Sequence, residues 1–270
     1  MFFSTTSAYG TTDVRDDYDQ VIRCLCFGHQ VQGGSFLQPS IDVVVPGSSG
    51  PGPIPCCVYQ LGWLVAGQCR PYGTMLMLGL GSGSGAVALL NQFPSLNIIV
   101  VDVDVAVIQA ARTGFPLVHH YEKEGRLTLV ESCAWKYVAE SVDSYDSILI
   151  DIYRGSNMGL HDQELLVNCA KLTDRIWVNH IGNAESTGPI IDCLEAVGQP
   201  VKYLFSGVLR QDWPESDQNI ILTTAKLYPD AISAFQPFGN LDPNEPAVIW
   251  AQEKYQALLE TALVPDHQLE

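Results

Sequence analysis

A glycine-rich turn between two apolar segments constrains the fold of this chain most. The apolar residues 75–78 end in glycines at alternate positions: Gly79, Gly81, Gly83 and Gly85. A helix-prone segment follows at residues 86–92, and a second apolar run, residues 96–101, ends at Asp102. Glycine permits a sharp turn and leaves no Cβ in the way of a ligand, and a carboxylate after the second strand can accept hydrogen bonds from ribose hydroxyls. The pattern predicts a βαβ unit with a nucleoside site and leaves the chemistry open.

Strand-like and helix-like segments alternate after this turn. Apolar strands are predicted at residues 75–78, 96–101, 127–130, 147–150 and 176–178. Helices are predicted between them, for example at residues 105–112 and 161–171. Continuous apolar strands separated by helices favour a parallel sheet that is covered on both faces. Residues 201–209 and 219–224 are predicted to add an antiparallel pair to this sheet.

The N-terminal part of the chain has a different pattern. Residues 1–18 are polar and are expected to be mobile. A β-hairpin is predicted from the next β-prone runs, residues 21–27 and 30–37. An apolar helix is predicted at residues 56–68. We therefore predict an N-terminal β-hairpin domain with a linking helix over residues 1–70, and an α/β domain over residues 71–270.

Charge and cysteine usage narrow the function classes. The 270 residues carry a formal net charge of -16, with only 14 Lys and Arg. This balance argues against nucleic acid and against an anionic membrane surface as partners. The eight cysteines form no CxxC pair, and His119-His120 lacks a third ligand at a sensible spacing, so no metal site is expected. Without a secretory signal or a membrane-length apolar run, we expect a cytoplasmic protein that acts on a small molecule.

Several short segments, taken in order, resemble those of the spermidine synthase group within the Rossmann-like S-adenosylmethionine-dependent transferases. The matching segments are residues 26–32, 58–60, 78–85, 101–104 and 145–151. The resemblance covers about half the chain. It implies an α/β fold with a seven-stranded Rossmann-like methyltransferase sheet, a small N-terminal β-domain and a homodimer. It also implies S-adenosylmethionine, or its decarboxylated form, as the cofactor.

The resemblance assigns a donor site residue by residue. Its members are Gln32, Gly79, Gly81, Gly83, Asp102 and Cys133. The three glycines would line the methionine-derived tail, and Asp102 would hold the ribose hydroxyls. Gln32 matches a glutamine that contacts the donor. Cys133 stands where related enzymes commonly place an aspartate for the adenine amino group.

On the acceptor side the chain both follows and departs from the pattern. Tyr59 matches a tyrosine of the active-site wall, and Asp151 matches the first aspartate of an Asp-x-x-Asp segment, where it can accept a proton or orient an amine. The second aspartate is replaced by Arg154, and Gln60-Leu61 stands where spermidine synthases usually keep His-Glu. A reversed charge inside a pocket disfavours a polyamine substrate. Spermidine synthesis is therefore not expected.

Other polar residues compete for a catalytic or substrate role. Tyr153 and Arg154 follow Asp151 and could bind an anionic or carbonyl-bearing substrate, or simply be exposed. His161 and His180 are alternatives to Asp151 or Tyr153 as the base that deprotonates the acceptor, although either could be structural. Catalytic candidates are thus Asp151, Tyr153 and His180, and substrate-binding candidates are Tyr59, Arg154 and His161.

Three functions remain open on the sequence alone. The first is an S-adenosylmethionine-dependent methyltransferase acting on a small molecule, for which the serines of the glycine turn, Ser82 and Ser84, could hold the donor's carboxylate. The second is transfer of the donor's aminopropyl or aminocarboxypropyl arm. The third is a donor-binding protein without turnover, which Cys133 and Arg154 would suit. The cofactor class is better constrained than the reaction.

Overall fold

The computed structural model describes residues 3–17, 22–27, 30–36, 72–152, 163–182, 184–207 and 218–225. Near the N-terminus, an antiparallel sheet contains, in spatial order, β1 (Phe3–Ser7), β2 (Gly10–Asp17), β3 (Ile22–Phe27) and β4 (Gln30–Phe36). The pair β3–β4 confirms the predicted hairpin. The predicted linking helix at residues 56–68 lies outside the described residues, and the domain boundary after residue 70 stays a prediction.

The expectation that residues 1–18 are mobile was wrong. These residues supply β1 and β2, which pair from Phe3 opposite Val14 to Ser7 opposite Gly10. The sequence there is polar because β1 and β2 carry few core-facing side chains. Val14 is completely buried and packs against Gly114 of a helix in the second sheet's layer. Phe3 also packs against the core, and β2 pairs with β3, so a few apolar contacts and strand pairing order a polar hairpin.

Seven strands within the described residues form the second sheet, which confirms the predicted fold class. They are β5 (Tyr72–Leu78), β6 (Ser95–Asp102), β7 (Leu127–Glu131), β8 (Ser147–Ile150), β9 (Ile176–Gly182), β10 (Tyr203–Gly207) and β11 (Gln218–Thr223). Their spatial order is β10-β11-β9-β8-β5-β6-β7. The five strands β5 to β9 are parallel, and β11 runs antiparallel to both β9 and β10. The predicted antiparallel pair is thus an extension of the sheet beyond β9.

Helices cover both faces of this sheet. They are α1 (Ser84–Gln92), α2 (Val105–Gly114), α3 (Pro116–Lys123), α4 (Ala134–Glu140), α5 (Gln163–Leu172) and α6 (Ala184–Ala196). Strand side chains alternate between the faces. Met77 and Trp177 belong to the core under α1, α2 and α3, whereas Leu78 and Val178 belong to the core under α4, α5 and α6. No helix in the described ranges is long and apolar enough to cross a membrane.

The cysteines of the described segments are free thiols. Cys24, Cys26 and Cys169 are buried, and burial raises the pKa of the Cys169 thiol to about 12. These side chains therefore act as small apolar groups in the core.

The guanidinium of Arg126 binds carbonyl oxygens at the C-terminal end of α1. Removal of this side chain is therefore expected to destabilise the protein. The guanidinium donates to the carbonyls of Leu90 (2.9 Å), Phe93 and Leu96, and it lies 5.1 Å from the ring centre of Tyr121. Carbonyls at a helix C-terminus have no partner within the helix. We expect Arg126→Ala to lower the free energy of unfolding by roughly 2–3 kcal/mol, because partly buried carbonyls lose a charged donor.

Arg112→Ala is the matched control for this change. Arg112 pairs with Glu122 at 2.7 Å, but its side chain is 43% exposed. An exposed ion pair contributes at most about 1 kcal/mol. Urea unfolding of both variants gives the comparison, and equal losses would show that Arg126 contributes no more than a surface charge.

Candidate functional site

The candidate site lies at the carboxyl ends of β5, β6 and β8. β6 and β8 flank β5 on opposite sides, so the connections that leave these strands diverge at this edge. Open α/β sheets bind ligands in the crevice formed at such a point. Gly79 follows β5 directly, Asp102 ends β6, and Asp151 follows β8.

The packing of the protein itself requires glycine at position 79. Gly79 has a φ of +98°, and a Cβ there would lie 2.0 Å from the backbone oxygen of Asp151. Its N–H donates to Val101 O at 2.8 Å, and the Asp151 N–H donates to Leu78 O at 2.8 Å. The turn after β5 is thus wedged between the ends of β6 and β8, and this packing excludes any larger residue.

The N-terminal sheet lies directly on the glycine turn. A Cβ on Gly81 would be 3.0 Å from the backbone oxygen of Gln32, and one on Gly33 would be 2.5 Å from Ser82 Oγ. Gln32 is a bulged residue: Leu25 pairs with Gly33 and Cys26 pairs with Val31, so no residue of β3 stands opposite Gln32. Bulges often re-aim a side chain beside a functional site. The structure therefore brings predicted residues Gln32, Gly79 and Gly81 together.

The turn continues into α1 through two serines. Ser82 Oγ donates to Ser84 Oγ at 2.8 Å, and both side chains are buried. Gly83 is the N-cap of α1 with a φ of +76°, and the first turn of the helix contains no acidic residue. The hydroxyls and the helix N-terminus make this end of the turn compatible with a negative group.

The carboxylate of Asp102 ties β6 to the glycine turn. The Leu80 N–H donates to Oδ2 and the Asp104 N–H donates to Oδ1, both at 2.9 Å. Burial raises the pKa of Asp102, and these backbone donors oppose the shift. An ionised carboxylate has about four acceptor sites, so two backbone bonds leave capacity for further donors. This placement fits the predicted contact with ribose hydroxyls, which stays a prediction.

Asp151 has a partner that sequence reasoning did not assign. Asn179 Nδ2 donates to Asp151 Oδ1 at 2.8 Å, and Asn179 is 1% exposed. Burial, and to a lesser degree the negative charge of Asp102, raise the pKa of Asp151 to about 7, against the opposing effect of the Asn179 bond. Alternation along β9 puts Asn179 on the face of Trp177 and His180 on the other, but which of the two faces meets Asp151 depends on the strand register.

His180, a predicted catalytic residue, is not brought to Asp151. Neighbouring residues of a strand point to opposite faces, so His180 faces α6 while Asn179 faces Asp151. His180 Nε2 lies 2.8 Å from Ser186 Oγ, and burial lowers the pKa of the imidazole. A catalytic role for His180 stays a prediction, and its position fits a packing role under α6.

The other predicted residues divide into one at the site's rim and four that are not described. Cys133 follows β7, is exposed, and is the N-cap of α4. The preceding Ser132 N–H donates to Asp102 O at 3.0 Å, so Cys133 lies at the same sheet edge as Asp102. The remaining candidates lie outside the described residues: Tyr59, Tyr153, Arg154 and His161. No group of three or more metal-ligating side chains is found within the part of the chain that the structure describes.

Comparisons with known proteins identify the fold. No family model matches the chain, and no curated protein matches it. Among solved structures, it is similar to a probable spermidine synthase from Corynebacterium glutamicum, with a TM-score of 0.61, 12% identity, and coverage of 94% of this chain and 86% of that one. It is also similar to the spermidine synthase of Thermotoga maritima, with a TM-score of 0.60, 15% identity, and coverage of 98% and 85%.

A third similar structure is a spermidine synthase in complex with the transition-state analogue AdoDATO. Its TM-score is 0.58 at 14% identity, with coverage of 98% of this chain and 85% of that one. The chain has a spermidine synthase-like fold. The similarity covers nearly the whole chain, but the sequence identity is low. The comparison therefore shows a common architecture and says nothing about the roles of the site residues.

Proposed function

We propose that this protein is an S-adenosylmethionine-dependent transferase that methylates a small molecule. The observation that carries the proposal is the joining of the glycine turn to Asp102. The Leu80 N–H within the turn donates to Asp102 Oδ2 at 2.9 Å, at the carboxyl edge of a spermidine synthase-like sheet. This arrangement supports a nucleoside donor with its ribose at Asp102 and its tail along the turn.

The chain's own residues suit such a donor. The turn at Gly79 and Gly81 offers backbone without side chains, and the bulged Gln32 lies beside it. Ser82, Ser84 and the N-terminus of α1 are suited to the carboxylate of intact S-adenosylmethionine. The bound donor supplies an activated carbon next to a sulfonium, whose leaving thioether is neutral and needs no acid catalyst.

Asp151 is the acceptor base in this proposal. A group with a pKa of about 7 is half ionised at neutral pH, so it can take a proton from a nucleophile and release it again to solvent. Asn179 holds one carboxylate oxygen, and the position of Asp151 at the sheet edge puts it beside the glycine turn. Alignment of acceptor and donor supplies the rest of the rate enhancement.

Aminopropyl transfer is the second candidate, and the fold shared with spermidine synthases favours it. Two features of the sequence favour methyl transfer instead. Arg154 stands where a second aspartate would attract an ammonium group, and Ser82 and Ser84 leave the glycine turn without an acidic residue. A non-catalytic donor-binding protein is the third candidate.

Calorimetry with three ligands tests whether the site binds a donor, and it separates methyl transfer from aminopropyl transfer. The ligands are S-adenosylmethionine, its decarboxylated form, and the demethylated product S-adenosylhomocysteine. We expect binding of the first and the third. Binding of the decarboxylated donor alone would overturn the methyl-transfer proposal in favour of aminopropyl transfer. If none of the three binds, the site is not a donor site at all.

The pH dependence of donor affinity follows from the raised pKa of Asp151. Ionisation of Asp151 adds a negative charge beside Asp102 as the pH rises through about 7. We expect the affinity for S-adenosylmethionine, which carries a sulfonium cation, to rise several-fold over this interval. The affinity for neutral S-adenosylhomocysteine should change much less. Calorimetric titrations at about pH 6 and pH 8 measure this change in affinity. The variant Asp151→Asn should not show the change. A rise in affinity that persists in that variant would show that another group titrates.

A further inference from the structure

We propose that Asn179 is a positioning residue that holds the carboxylate of Asp151 in the orientation in which it takes a proton from the acceptor. This inference rests on the proposed function, since it presumes that Asp151 is the base. It adds a residue that the spermidine synthase resemblance did not assign.

The contact is built into the sheet. Asn179 lies on β9 and Asp151 directly after β8, and these strands are parallel neighbours with Ile150 opposite Val178. The residue after each of these partners points to the opposite face, so Asp151 and Asn179 leave the sheet on the same side. Their bond, Nδ2 to Oδ1, is 2.8 Å long. The backbone register of two neighbouring strands therefore sets the pair.

The burial of Asn179 restricts the orientation of its side-chain amide. Asn179 is 1% exposed, so its amide has little freedom to turn away. Among the described residues, Asn179 is the one side chain that donates a hydrogen bond to Asp151. With Oδ1 held in this way, Oδ2 is the oxygen left to receive the proton. An apolar residue in place of Asn179 would leave a partly buried carboxylate without its donor, which favours the protonated form.

Within the described part of the chain, few groups influence the pKa of Asp151. Asp102 on β6 raises its pKa, β5 contributes Gly79 without a side chain, and His180 on β9 faces the other side of the sheet. The Asn179 bond is the one effect in these surroundings that lowers the pKa of Asp151. Its loss should raise that pKa further.

The test uses the stability of the purified protein and needs no ligand. An acid whose pKa is raised by folding contributes stability at low pH, and that stability is lost as the pH rises through the folded-state pKa. In the wild type this loss is nearly complete above about pH 7. In Asn179→Leu it should continue to higher pH. The unfolding equilibrium constants of wild type and variant should therefore differ more at about pH 8.5 than at about pH 5.5, by about tenfold for each unit of added pKa.

Two further variants separate positioning from packing. In the background of Asp151→Asn, Asn179→Leu should cost the same at both pH values, because the titrating group is gone. Ser186→Ala removes a hydrogen bond to β9 from the opposite face, and its cost should not depend on Asp151. If Asn179→Leu shows a pH-independent loss in the wild-type background, Asn179 is only a packing residue and the proposal is wrong.

Carboxyl-carbon NMR of labelled aspartate gives a direct reading. The signal that disappears in Asp151→Asn should titrate near pH 7 in the wild type and at higher pH in Asn179→Leu. An unchanged midpoint would overturn the inference even if donor binding is confirmed. Conversely, failure of every donor to bind would refute the proposed function and leave this titration intact, so the two failures are distinguishable.

Discussion

Gly79→Ala is expected to cost the protein roughly 2–4 kcal/mol of unfolding free energy and most of its donor affinity. Two effects add up in this variant. The backbone at a φ of +98° disfavours any side chain, and the new Cβ would lie 2.0 Å from the backbone oxygen of Asp151. The Asp151 N–H donates to Leu78 O, which holds the backbone of Asp151 against the end of β5. Either β5 or β8 must shift, and the glycine turn moves with β5.

The chain offers matched controls for this prediction. Gly125 and Gly198 have φ values of +74° and +75°, and a Cβ at either would meet nothing within 4 Å. Alanine there should cost only the conformational strain, about 1 kcal/mol, without loss of donor affinity. Chemical unfolding and calorimetry with S-adenosylmethionine measure both effects. Equal stability of the three alanine variants would show that the contact with the Asp151 backbone does not restrict the residue at position 79.

Asp102→Ala is expected to combine a loss of stability with a loss of donor binding. The carboxylate accepts hydrogen bonds from Leu80 N–H and Asp104 N–H, each at 2.9 Å, so its removal leaves two partly buried donors without an acceptor. We expect the free energy of unfolding to fall by roughly 3 kcal/mol. Affinity for S-adenosylmethionine should fall about 100-fold, because the ribose hydroxyls lose a charged acceptor.

Asp104→Ala is the control, because it removes a neighbouring carboxylate but keeps the Asp104 N–H that donates to Asp102 Oδ1. Asp104 caps α2 by accepting from the Ala106 N–H at 2.8 Å. Loss of such a cap costs about 1 kcal/mol and should leave donor affinity little changed. Donor affinity that survives in Asp102→Ala would contradict the ribose assignment, whatever happens to stability.

The core strands of the α/β sheet could be predicted from the sequence. The run 147–150 predicted β8 with its observed bounds, and the glycine turn, Asp102 and α2 lie where the pattern indicated. β8 is buried on both faces, so its apolar run is not interrupted by polar residues. Strands β1 and β2 were missed because their pattern is almost entirely polar. Pairing with β3, the burial of Val14 and the packing of Phe3 against the core order them.

The site was predictable in its parts but not in its pairings. Asp102 and Asp151 could be identified because each ends a strand, a position that depends on local pattern alone. The choice between Asn179 and His180 could not be made in this way, since adjacent residues of a strand face opposite sides. A one-residue change in register would exchange them. The structure shows Asn179 against Asp151 and His180 against Ser186.

The sequence by itself determined the βαβ unit, its glycine turn and the carboxylates at the strand ends, because these follow from short-range constraints on backbone and burial. Only the tertiary structure explains why residue 79 must be glycine. The backbone of Asp151 lies where a Cβ at this position would be. The tertiary structure also decided that the bulge at Gln32 rests on the turn, and that Asn179 is the partner of Asp151. These contacts join residues far apart in the chain, so strand order and register, rather than local pattern, create them.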